Sequence, residues 1–274
     1  MIQVVAQFTP PAHHLQLGVT VLGSGSGGNA IVVHSPTGNL LLDNGFSLVE
    51  LRRRLAAAAI PVESLRAILV THEHTDHVRG LRVTANALKI PVYCNRLTAE
   101  CLRGKELAPE KQLNIFTTGA AFKVGGFTIE PFSIPHDAVD ATAFAFRLGG
   151  LKLGIATDLG HASSVVMHHL RECDLLVVES NHDPQMVWDS GRPPMIKQRI
   201  LGRRGHLSND DCVKLLQQIL HARTRHLVLA HASGECNRHE LIERTVLAGI
   251  QALARTDLAP RIALQDAALP TLWV

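Results

Sequence analysis

Ala67-Ile68-Leu69-Val70-Thr71-His72-Glu73-His74-Thr75-Asp76-His77 decides how this chain is read. The run 67–70 is apolar, β-branched in part and too short for a helix, so it predicts a buried strand. His72, His74, Asp76 and His77 then crowd its end, all of them side chains that bind divalent metals. In extended chain His72 and His74 point the same way, while Asp76 and His77 turn toward a second position as a helix begins near Val78. One short loop can thereby serve two cations. The plain alternative is a histidine-rich surface loop, but imidazoles and carboxylates packed this closely would repel or stand idle without a cation.

Working upstream, strands are expected over 19–22, 30–33 and 39–43, the last ending in Asp43. The turn Gly23-Ser24-Gly25-Ser26-Gly27-Gly28 is not a P-loop, because it lacks Gly-Lys-Ser/Thr and a following helix. Ser47 and Glu50 form a capping box for a helix over 48–60, with Arg52, Arg53 and Arg54 on or near its solvated face. Downstream, helices are expected over 78–88 and 97–105 and a strand over 91–94. A strand over 127–134 ends at Pro135-His136, and one over 151–156 stops at Thr157-Asp158. After a helix over 163–171, a strand over 175–179 ends at Glu179-Ser180-Asn181. The segment 192–206 carries Arg192, Lys197, Arg199, Arg203 and Arg204 with no acidic residue, which makes it either an anion-binding element or a solvated loop. Ser208 and Asp211 cap a helix, a strand over 226–230 leads to His231, and a helix over 239–255 and a strand over 261–264 follow.

The chain has 274 residues and is 46% hydrophobic, enough for one sizeable core, and no stretch resembles a linker. Residues 1–17, with Pro10-Pro11 and a solvated His13-His14, are expected as a lead-in, and 18–274 as a single domain. A formal charge of +3 suits an anionic substrate without proving nucleic-acid binding. Cys94, Cys101, Cys173, Cys212 and Cys236 are odd in number and show no Cys-x-x-Cys pair, so a reducing, cytoplasmic setting is expected. There is no secretory n-region and h-region, and no apolar run of about 18 residues, so no membrane partner is expected.

Taken singly, His136, Asp158 and His231 would more often be structural than ligating. Together they supply a dinuclear site: His72, His74 and His136 for one metal, Asp76, His77 and His231 for the other, and Asp158 between them. Asp43 is placed to accept from a ligand imidazole.

The order Asp43, His72-x-His74-x-Asp76-His77, His136, Asp158, His231 resembles the motifs of the metallo-β-lactamase fold, over about residues 19 to 264. That resemblance implies an α/β, αββα sandwich: two mixed β-sheets between helical layers, with metals at one edge. Gly23-Ser24-Gly25-Ser26-Gly27-Gly28-Asn29, Glu179-Ser180-Asn181-His182-Asp183 and Gly205-His206-Leu207-Ser208-Asn209 are similar to the YycJ (WalJ) group of bacterial DNases. The lead-in and Ala232-Ser233-Gly234-Glu235 depart from that group. The resemblance implies a phosphodiesterase with two divalent metal ions, zinc or manganese and in some cases iron, acting as an exonuclease on DNA rather than RNA. Asp76 and His206 would be catalytic, Glu179 would orient His206, and Ser208, Asn209, Arg203 and Arg204 would contact substrate. Other readings stay open. The Gly205–Asn209 loop is also similar to one in ribonuclease Z, which processes RNA, and glyoxalase II or a lactonase would keep all seven ligands. A β-lactamase is disfavoured by Asp158, where such enzymes carry Cys or Ser, and a metal-stabilised binding module without turnover is the non-enzymatic reading. The oligomeric state, with a homodimer as one option, is open.

Overall fold

The computed structural model describes residues 16–274, so residues 1–15, including His13 and His14, lie outside the described residues. The first sheet contains β1 (Gly18–Gly23), β2 (Ala30–Ser35), β3 (Gly38–Leu42), β4 (Leu65–Leu69), β5 (Val92–Asn95) and β6 (Leu113–Phe116). The second contains β7 (Phe122–Val124), β8 (Phe127–Ser133), β9 (Thr142–Leu148), β10 (Leu151–Ala156), β11 (Leu175–Glu179), β12 (His226–Ala230) and β13 (Arg261–Ile262). The chain then returns to the first sheet, where β14 (Leu272–Trp273) pairs antiparallel with β1 through Gly18 opposite Trp273. Both sheets are mixed. β3 to β6 run parallel, as do β10 to β13, and the remaining pairs are antiparallel.

Strands β3, β4, β11 and β12, none of them at a sheet edge, are mostly buried along their length, the pattern of strands covered on two sides. One core fills the space between the sheets, where Val19, Leu40 and Leu69 meet Phe127, Phe144, Leu153 and Val177. Outside the first sheet, Leu51, Leu55, Leu81 and Leu102 come from α1 (Leu48–Ala57), α3 (Leu81–Leu88) and α4 (Arg96–Gly104). Outside the second, Val166, Leu215 and Val246 come from α5 (Ser164–Leu170), α8 (Asn209–Ile219) and α9 (His239–Ala252). This is the αββα sandwich that the resemblance implies. Each fully buried large apolar side chain, such as Phe127 or Phe144, stabilises it by roughly 1.5–3 kcal/mol.

The local readings differ in several places. The helix expected over 78–88 is two helices, α2 (Thr75–Val78) and α3, and Asp76 and His77 lie inside the first of them. The break falls at Gly80, where an added Cβ would sit 1.8 Å from the Phe46 carbonyl oxygen. The helix from Ser47 stops at Ala57, and Arg54 is buried rather than solvated. Its guanidinium donates 2.8 Å bonds to the carbonyls of Leu22 and Gln265, pairs with Glu50 and lies 4.0 Å from the Phe46 ring centre. Two further helices, α6 (Pro184–Asp189) and α7 (Pro194–Leu201), occupy the basic segment and the stretch before it.

Candidate metal centre

The site residues follow strand ends at one edge of the sandwich: Asp43 follows β3, His72 to His77 follow β4, His136 follows β8, Asp158 follows β10 and His231 follows β12. Carboxyl ends of parallel strands are where α/β sheets present ligand-binding side chains. Three of these residues leave the sheet in the left-handed backbone region, with φ of 57° at Asp43, 57° at Asp158 and 56° at His231. Each such turn costs on the order of 1–3 kcal/mol in a residue with a Cβ, strain that recurs at functional sites because it aims a side chain.

Donor atoms of His72, His74 and His136 lie within 4.8 Å of one another, as do those of Asp76, His77 and His231. Asp158 stands between the two groups. Its Oδ1 is 3.4 Å from His231 Nε2 and 3.8 Å from His136 Nε2, and its Oδ2 is 3.3 Å from His77 Nε2. Asp76 Oδ2 is 3.5 Å from His77 Nε2 and 3.7 Å from His231 Nε2.

The far sides of three rings are fixed. Asp43 Oδ2 accepts from His77 Nδ1 at 2.8 Å and from the Thr71 hydroxyl at 2.8 Å, and Oδ1 accepts from the Thr71 amide. His136 Nδ1 donates to the Gly205 carbonyl at 3.0 Å, and His231 Nδ1 donates to Glu179 Oε1 at 2.9 Å. Each hydrogen bond keeps a proton on Nδ1, so that Nε2 is the ring atom turned inward and the one a cation would meet. His72 Nε2, His231 Nε2 and Asp158 Oδ2 are buried without a hydrogen-bond partner. Burying a polar atom this way costs about 1–3 kcal/mol. Orphaned acceptors converging in one cluster are what a divalent cation satisfies, so the residues fit the metal that the fold implies.

Titration reflects the same crowding. Burial, reinforced by His77, His136 and His74, pushes His72 well below the usual imidazole range. Burial also opposes charge on His77, but Asp158 and Asp43 outweigh it and hold that ring well above the usual range. His231, likewise buried but facing Asp158, Asp76 and Glu179, is raised to about 10. Asp158 stays below the ordinary carboxylate range despite burial, because His231, His77 and His136 surround it.

His206 lies beside this cluster, its Nδ1 2.9 Å from Glu179 Oε1, with rings of His136 and His231 about it at 5.2 and 5.3 Å. The four expected substrate contacts are engaged in bonds within the protein. Ser208 is buried and caps α8 through the Asp211 amide, and Asn209 is buried against Ser180 and Asn237. Arg204 clamps the carbonyls of His136 and Ala138, and Arg203 pairs with His161. Four further residues reach the site, two of which the sequence singles out only as members of the basic segment. Asn29 Nδ2 is 3.1 Å from His77 Nε2, and Asp137 Oδ1 is 3.2 Å from His136 Nε2. Arg192 and Arg199 line the cavity over the donors, a space of about 260 Å³. The signal for the arginines was present: Pro193-Pro194 marks a helix start, which would have turned the basic segment into one face of α7.

Residues 38–232 match the beta-lactamase superfamily domain family. The chain is 35% identical over 230 residues to the exodeoxyribonuclease YycJ of Bacillus anthracis, covering 83% of this chain and 86% of that one. It is 32% identical over 242 residues to the exodeoxyribonuclease WalJ of Streptococcus pneumoniae, covering 87% and 89%. Among solved structures, the metallo-β-lactamase fold protein YhfI of Bacillus subtilis superposes with a TM-score of 0.69 at 18% identity, covering 92% of this chain and 99% of that one, which shows a shared fold. With family, relatives and sandwich in agreement, this chain belongs to the metallo-β-lactamase-fold hydrolase superfamily, in the group of YycJ and WalJ.

Proposed function

We propose that the chain is a dinuclear metal-dependent phosphodiesterase, an exonuclease acting on DNA. The observation that carries this is a cluster of seven cation-ready donors, five of which open into one cavity with two arginines, in a chain 35% identical to an exodeoxyribonuclease. Arginine lining favours an anionic phosphodiester over the neutral thioester or lactone that the same donors would also serve. His72, His74 and His136 would hold one ion, Asp76, His77 and His231 the other, and Asp158 would face both. Bound zinc, manganese or iron supplies Lewis acidity toward a phosphoryl oxygen and lowers the pKa of the attacking water. Asp43 and Glu179 keep the rings of His77 and His231 in the tautomer that presents Nε2. Asp76 reaches the same pair of rings and orients the attacking group, and His206, held by Glu179, passes a proton to the oxygen that leaves phosphorus. Glu179 and His231 raise and lower that imidazole's proton affinity, and the net shift is upward against burial, as an acid working near neutral pH requires.

Residues 18–274 are read as one working domain, and five unpaired cysteines suit a reducing cytoplasm. Among the described residues no helix is long and apolar enough to cross a membrane. The test is a metal-supplemented digestion panel of single- and double-stranded DNA, precursor tRNA and lactoylglutathione. Release of mononucleotides from DNA supports the proposal. Turnover of lactoylglutathione alone, or of tRNA alone, overturns it.

A further inference from the structure

One face of α7 looks into the donor cavity. Arg192 just before the helix, and Ile196, Arg199 and Ile200 within it, recur at helical spacing, and all four line the space that also exposes His74 and Asp158. The two guanidinium groups are tethered to two different site loops. Arg199 Nε donates to Oδ2 of Asp137, the neighbour of His136, and Arg192 Nη2 lies 2.8 Å from Oε2 of Glu235 on the loop after His231. The cations therefore flank the donor cluster on its His136 side and on its His231 side.

Neither tether saturates its arginine, which carries five N–H donors. Arg192 Nε is buried with no hydrogen-bond partner, a donor left for something not made of protein. Glu235 is 51% exposed and the Arg192 side chain 33%, so their ion pair is screened by solvent and weak. A phosphate accepts from the guanidinium fork in two places at once and readily displaces a partner of that kind.

We propose that Arg192 and Arg199 form a two-armed clamp for the phosphates on either side of the scissile one, each arm parked on a carboxylate, Glu235 and Asp137, until a strand arrives. The clamp rests on the nuclease reading and extends it: the ligand is a polyanionic strand whose reacting phosphate has a phosphate on each side, the outer one being a terminal phosphate at the strand end. Ile196 and Ile200, on the same face, give the sugars between those phosphates an apolar wall. The parked carboxylates then act as internal competitors of the substrate.

The test measures Kd by fluorescence anisotropy, with metal-loaded enzyme and a single-stranded oligonucleotide carrying phosphorothioate linkages that keep the charge but resist cleavage. Across about 50 to 200 mM salt, R192Q and R199Q should each weaken binding about 10-fold and lower the log Kd against log salt slope by about 1. R192K and R199K should restore the salt slope while regaining only part of the affinity, since lysine lacks the fork. E235Q should tighten binding several-fold, and should do so only when Arg192 is present. Unchanged Kd and salt slope in both glutamine variants overturn the clamp, as does a wild-type enzyme that binds no strand. Tightening by E235Q in the R192Q background overturns the parking of Arg192. Wild-type enzyme that binds the strand but cleaves no unmodified DNA in a parallel assay overturns the nuclease reading instead, while the Kd series still decides the clamp.

Discussion

Glu179 Oε1 accepts from His231 Nδ1 at 2.9 Å, and the same oxygen lies 2.9 Å from His206 Nδ1. One buried carboxylate thus sets the orientation of a proposed metal ligand and of the proposed acid. Its other oxygen takes the amides of Leu159 and Leu207, so every lone pair is engaged. Burial alone would raise this carboxyl, but His206 and His231 hold it far below the ordinary range. Glu179→Gln keeps the shape and turns an amide NH2 toward groups that are themselves donors. Metal affinity and kcat should each fall about 10- to 100-fold, read by competition with a zinc chelator and by DNA digestion. Wild-type values for both would show that Glu179 positions neither ring.

Asp158→Ala and His74→Ala should each abolish hydrolysis while the fold stays assembled. Asp158 sits between the two donor groups, and His74 is the partly exposed ring whose Nδ1 is 3.4 Å from His136 Nε2. Alanine at 158 also removes the carboxylate that faces His77 and His231 and favours charge on both rings, so the metal-free variant should melt somewhat lower than wild type. Circular dichroism without metal should still match wild type, showing the fold assembled. In excess metal the wild type alone should gain, by about 4 kcal/mol at 1,000 times Kd. Full activity in either variant would count against the site.

His206→Ala should lower kcat with two metals per chain retained. The ring is one of four groups, with Asp158, Glu179 and His231, whose donor atoms lie within 4.8 Å of one another, so geometry alone allows it a ligand role. Metal stoichiometry by mass spectrometry separates the two roles. Loss of one ion would make His206 a ligand rather than the acid.

Much of this was legible because a short apolar run that stops abruptly at a charged residue reads the same in any context, and Asp43, His72, Asp158 and His231 all follow such runs. Arg54 was not legible. Its burial depends on carbonyls of Leu22 and Gln265, the latter more than two hundred positions away, which no local periodicity encodes. The two-residue strand β14 was likewise invisible, since its existence depends on the free edge of β1. Within the site, Arg203 and Arg204 stood nearest to His206 in sequence and drew the substrate role, and the turn of α7 back over the cavity, which adds Arg192 and Arg199 to its lining, was not legible.

Stability should fall with acid in part through His34, which is remote from the donor cluster in its bonding. The ring is buried on β2, between the Thr20 hydroxyl at 2.8 Å and Asn39 Oδ1 at 3.1 Å. Burial lowers its pKa to about 4, against a partial upward pull from Asn39. Unfolded chain therefore binds the proton first as pH drops. The neutral ring's contribution is complete above about pH 6.5 and is lost as pH falls toward 4, by up to about 3 kcal/mol. Denaturant midpoints of wild type and His34→Gln between those limits test this. The variant should show a slope shallower by up to one proton, and parallel slopes would refute the assignment.

Gly45→Ala should impair the metal centre without touching a single donor side chain. An added Cβ there would sit 1.7 Å from the Asp76 carbonyl oxygen and 2.7 Å from the Asn29 amide nitrogen, contacts that only a backbone shift relieves. Those two groups are already joined, Asn29 N donating to Asp76 O at 2.8 Å, and Gly45 N donates to Asn29 O at 2.9 Å. The methyl group therefore pushes on the segment that aims Asp76 and opens α2. Activity should drop at least 10-fold with weaker metal retention, together with a stability loss of about 1–3 kcal/mol from overpacking. Gly104→Ala is the matched control, because nothing lies within 4 Å of a Cβ at that helix position, and it should leave stability equal or higher. Equal behaviour of the two variants in metal binding and turnover would mean that the Gly45 contact does not hold Asp76 in place.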